Sequence, residues 1–129
     1  MRPYRGATDD VPPPSREVAL GDAAFWLDRV ETGMERIESG HGTAHDQRVI
    51  HQGLFIAQRL LTYAEFEDPE RWLREHPVVE RVLAEARSKS LSAEPYEQDT
   101  AAAEVAHLRP HFERAQRDLE VLRLRLTLS

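Results

Sequence analysis

The chain has 129 residues, no Cys and a formal net charge of −6. It is long enough for one domain with its own core, and the missing Cys removes disulfides, thiol catalysis and cysteine-ligated zinc together. An acidic chain lacks the basic surface that neutralises phosphates, so nucleic acid is not an expected partner, and no run approaches the roughly 18 apolar residues of a membrane span.

Residues 1–15 hold Pro3, Pro12, Pro13, Pro14 and Gly6, a composition that favours extended backbone over helix. An extended, Pro-rich tail is therefore expected ahead of a helical bundle domain over 16–129. The tail has no apolar core of a signal peptide, so a soluble, cytoplasmic protein is expected. Sixteen Arg against a single Lys, Lys89, together with many Ala residues, are the habit of a GC-rich bacterial genome.

A first helix is predicted from Ser15 or Asp22 to about Ser39, with Gly40 and Gly42 as its stop. Leu20, Ala23, Leu27, Val30, Met34 and Ile37 alternate spacings of three and four, which is a heptad seam. Phe25 and Trp26 are expected to widen the buried face beside it.

The segment Ala44 to Phe66 organises the rest. Eleven of the eighteen residues from Val49 to Phe66 are apolar, and they fill two adjacent stripes: Val49, Gly53, Ile56, Leu60, Tyr63 and Ile50, Leu54, Ala57, Leu61, Ala64. A helix apolar over so much of its circumference needs neighbours on several sides. It is predicted to be the central helix, capped by Thr43 with Asp46 at the third position. Gly53 is expected to mark a close helix approach, since a glycine among strong helix formers costs propensity.

Asp68-Pro69 is a helix start, and Val78, Val79, Val82, Leu83 and Ala86 share one face of the segment that follows. Pro77 is expected to break this third helix. A fourth helix is predicted from about Pro95 to Leu128, kinked near Pro110, because Ala101, Val105, Leu108, Phe112, Ala115, Leu119, Leu122 and Leu126 keep one seam across the proline. At 1.5 Å per residue it would span about 50 Å against roughly 35 Å for the central helix, which implies an overhang. Over 121–128 the alternation of Leu with polar residues also fits a strand, and helix is favoured because no strand partner is visible.

Six His residues raise a metal reading, a helical bundle holding non-haem iron or a similar ion. Glu38-x-x-His41 and Glu104-x-x-His107 have the spacing that places carboxylate and imidazole on one helix face, and His41, His45, Glu104 and His107 are its candidate ligands. Gly40 and the seam at Val105 and Leu108 both oppose it. Arg71-x4-His76 and Arg36-x4-His41 match a spacing seen in helical RNA-cleaving domains of the HEPN type. His45-Asp46 matches the adjacent pair of HD phosphohydrolases, without the further ligands those need. Neither a serine elbow nor a phosphate-cradling glycine loop is present.

These features predict an all-α, antiparallel bundle of four main helices acting as a non-catalytic interaction or assembly module, with no cofactor. Its expected partner is a second copy in a homodimer, or another protein. Residues 109–129 carry five basic against three acidic residues, whereas 17–108 sum to −9. The expected contact surface is therefore Leu119, Val121, Leu122, Leu124, Arg125 and Leu128, apolar with positive charge beside it.

Overall fold

Ser15 starts the first helix by accepting the backbone N–H of Val18 at 3.2 Å, which satisfies one of the donors that a helix start leaves open. In the computed structural model, which describes residues 12–90 and 95–128, four helices follow: α1 (Arg16–Glu38), α2 (Ala44–Phe66), α3 (Pro69–Ser90) and α4 (Gln98–Leu128). The described residues contain no strand. The class is the expected all-α one. The tail expected over 1–15 is described only from Pro12 to Ser15, which have no regular secondary structure; the rest of it lies outside the described residues.

Each boundary has a local cause. Gly40 stands at φ +82°, the left-handed conformation that ends α1 at little cost for glycine. Thr43 and Asp46 form a capping box at the start of α2, Asp46 N–H donating to Thr43 Oγ1 at 3.2 Å and Thr43 N–H to Asp46 Oδ2 at 2.9 Å. Glu67 turns left-handed at φ 45°, and one residue later the Asp68 carboxylate accepts the Arg71 N–H at 3.1 Å. So short a connection folds α3 straight back along α2. On α4, Gln98 Nε2 donates to the Ile37 carbonyl at 2.7 Å, and the start of this helix thereby caps the end of α1.

Contacts along α1 and α2 run in opposite order. Arg16 Nε donates to the Ala64 carbonyl at 2.8 Å and its Nη2 pairs with Glu67 at 2.9 Å. Midway, Val30 lies against Gly53, and Arg36 pairs with Asp46 at 3.0 Å. The two helices are antiparallel. The predicted α1 seam is buried at every position from Leu20 to Ile37, and of the two α2 stripes only Val49 is not fully buried. Among the described helices α2 touches each of the others, α1 and α4 touch each other, and α3 touches α2 alone. The core is therefore three-helical, with α3 laid on the outer flank of α2.

Pro77 does not divide α3, which continues through it as one helix of 22 residues. A proline removes one backbone donor and costs about 3 kcal/mol in a helix interior. Contacts on both sides of it offset this: Trp72 lies against Tyr63 at 5.8 Å between ring centroids, Glu75 pairs with Arg59 at 3.4 Å, and His76 and Val79 are buried. α4 also continues through Pro110. Its seam is buried from Ala101 to Leu122 except at Leu108, which like Leu126 is partly buried and packed against the core. The expected overhang is thus confined to the final turn, and 121–128 is helix and not strand.

Candidate interaction surface

The six C-terminal residues expected to meet a partner divide between two faces of α4. Leu119 and Leu122 are 8% and 5% exposed; they belong to the core and are closed to any partner. Val121, Leu124 and Leu128, spaced three and four, point away from that seam because each step along a helix turns about 100°. They are 46%, 62% and 86% exposed. Arg125 is exposed beside them, and Arg114 and Arg117 continue the same face toward the N-terminus. The free surface is a single narrow apolar stripe with a basic margin.

A second outward stripe lies on α1. Phe25 was expected beside the core, but it is 55% exposed, while Trp26 is half-buried and packs against the core. The reason is angular: five residues beyond Leu20, position 25 faces nearly opposite to the seam. Val18 shares that outward face, and the Arg29 guanidinium lies 5.6 Å from the Phe25 ring centroid. Helical arithmetic on the seam was the signal that would have placed Phe25 outside.

The four candidate metal ligands are not brought together. Among the described residues no group of three or more His, Asp or Glu side chains is close enough to hold a metal ion. His41 Nδ1 lies 3.2 Å from Ser39 Oγ in the turn after α1, and His45 is exposed on α2. His107 faces solvent, its ring 6.0 Å from that of His111. Glu104 is engaged elsewhere: Gln47 Nε2 donates to one of its oxygens at 3.0 Å and His51 Nε2 meets the other.

This His51–Glu104–Gln47 cluster lines a cleft between α2 and the start of α4 together with Arg48, Gln52 and Pro95. An imidazole held by a carboxylate is the pairing used in acid–base catalysis, yet among the described residues of the cleft lining the only further ionisable group is Arg48, and no nucleophile accompanies the pair. His51 and Glu104 are both partly open to solvent, where such pairs usually contribute less than about 1 kcal/mol. It fastens two helices. His76, of the Arg-x4-His spacing, is buried against the Trp72 ring at 4.7 Å between centroids, so it presents no imidazole to a substrate. No helix among the described residues is long and apolar enough to cross a membrane.

No protein-family model matches the chain, and no curated protein or solved structure matches it.

Proposed function

We propose that this chain is a non-catalytic helical module that associates with a second copy of itself through the outer face of α4, forming a homodimer. The observation that carries the reading is the stripe Val121, Leu124, Leu128, whose exposure rises from 46% to 86% along a helix whose other face is sealed in the core. Leucines on an outer helix face add little packing to the fold of a single copy. Burying each would contribute on the order of 1.5–3 kcal/mol. Association itself costs about 4–15 kcal/mol, the same order as the side chains of the two copies can offset, so a weak, reversible dimer is expected.

The test is solution mass by sedimentation across low to high micromolar concentration. Wild type is expected to move from monomer to dimer over that range. Changing Leu124 and Leu128 together to Glu is expected to hold the mass at the monomer while leaving helicity unchanged, because neither side chain touches the core. A wild type that stays monomeric at high micromolar concentration overturns self-association. A complex with a different protein that the same double variant abolishes would then assign the stripe to that partner.

A further inference from the structure

We propose that the surface receiving the α4 stripe is the outer face of α1 on the second copy, with Leu124 seated over Gly21. This rests on the self-association reading above and names the partner face.

Three observations converge on it. The first is charge. From Glu17 to Arg29, α1 carries Glu17, Asp22 and Asp28 against Arg29 alone, a net negative face, whereas Arg114 to Arg125 on α4 holds four Arg against Asp118 and Glu120. Pairing α4 with α4 sets net positive on net positive, and α1 with α1 sets negative on negative. Only α1 with α4 joins opposite signs, and like-charge juxtaposition is what excludes a wrong partner.

The second is pattern. Val18, Gly21 and Phe25 are spaced three and four, as are Val121, Leu124 and Leu128. Whichever way the two helices run, superposing the stripes places the middle Leu124 on the middle Gly21 and the outer apolar side chains on each other.

The third is the glycine. Gly21 lies inside a helix, where glycine is disfavoured, and a Cβ built on it would meet none of the described residues within 4 Å. No described residue of the same copy makes use of the missing side chain. A leucine from outside does, because the bare backbone between Val18 and Phe25, which are 52% and 55% exposed, is a socket for it. α1 and α4 are neighbours within one chain. A two-fold axis can therefore pair α1 with α4 twice, which closes the dimer.

The absence of native Cys permits a direct test. Gly21→Cys and Leu124→Cys each introduce a single thiol at a site outside the core. The two full-length variants, distinguished by mass, are mixed at equal high micromolar concentration and oxidised mildly. The expected product is the mixed disulfide, exceeding either symmetric one. Predominant linkage of Leu124→Cys to itself, or no linkage in the mixture while wild type sediments as a dimer, overturns this pairing and leaves self-association standing. A monomeric wild type overturns both. As an independent measure, Gly21→Trp fills the socket and is expected to raise the dimer dissociation constant at least tenfold with monomer helicity retained; an unchanged constant overturns the seat at Gly21.

Discussion

Arg36 and Asp46 lock the turn between α1 and α2: the guanidinium Nε donates to Asp46 Oδ2 at 3.0 Å, and the same oxygen accepts from the Thr43 N–H and hydroxyl at 2.9 and 3.1 Å. One carboxylate, 8% exposed, thus serves a helix cap and an interhelical ion pair at once. Asp46→Ala is expected to destabilise the fold by about 1–3 kcal/mol, since it leaves the Thr43 N–H without its acceptor and removes an ion pair to a half-exposed Arg36. Urea unfolding followed by circular dichroism measures it, and a loss under about 1 kcal/mol would remove the turn from the list of structural anchors.

Leu60 and Leu61 lie side by side on α2, 5% and 4% exposed, one in each of its two apolar stripes. Truncating either to Ala is expected to cost about 2–5 kcal/mol, the lost transfer energy plus a cavity. A much smaller loss in thermal or urea melts would contradict the place of α2 at the centre.

Two glycines are expected to respond with opposite signs. A Cβ at Gly53 would meet Val30 Cγ2 at 2.9 Å and Trp26 Cε3 at 3.4 Å, and Val30 is buried and β-branched, with little freedom to withdraw. Gly53→Ala is therefore expected to destabilise by about 1–3 kcal/mol. Gly21→Ala, measured where the copies are dissociated, is expected to stabilise by about 0.5–1 kcal/mol through helix propensity alone. Equal signs would show that one of the two environments is misassigned.

Tyr63 is expected to contribute to the alkaline limit of the fold. Its hydroxyl donates to the Pro14 carbonyl at 2.6 Å, and burial first, then the negative Glu67, push its pKa above the ordinary 10.0. Tyr96 is raised in the same direction, by burial and then by Asp46. A pKa raised on folding means that the contribution to stability is complete below pH 10.0 and is lost as pH rises through the folded value. The melting temperature is expected to fall above that pH. Tyr63→Phe should make the fall shallower while losing about 0.5–1.5 kcal/mol at neutral pH with its hydrogen bond; an alkaline profile unaltered by this change would place the limit elsewhere.

The architecture was readable from residues because it is local. Leu20, Ala23, Leu27, Val30, Met34 and Ile37 repeat every turn or so, and Thr43, Asp46, Gly40 and Asp68 announce their ends within four positions. Gly53 carried even its tertiary role, because a glycine amid Leu and Ile has few other uses. Partnerships were less readable. An apolar stripe such as Val78 to Ala86 says that something covers α3 but not that α2 does so unaided. The pairing of His51 with Glu104 spans 53 positions, with no spacing to mark it. In Leu119 to Leu128 the seam shared with Phe112 and Ala115 already assigned Leu119 and Leu122 to the core and left Leu124 to solvent; counting all of them in one contact surface overlooked that register.

Because α3 leans on α2 alone among the described helices, the domain does not have to unfold as a unit in order to move. Releasing α3 separates one helix interface, whereas releasing α1 or α4 separates two. The packed position of α3 also holds Trp72 Nε1 and His76 Nδ1 buried without a hydrogen-bond partner among the described residues, a penalty of about 1–3 kcal/mol for each such group that vanishes when the helix swings out. Pro77 has already removed one rung of its ladder. Of the four helices, α3 is therefore the one expected to detach first, baring the Tyr63 flank of α2 over a three-helix core, and its amide protons should exchange well ahead of those beneath it.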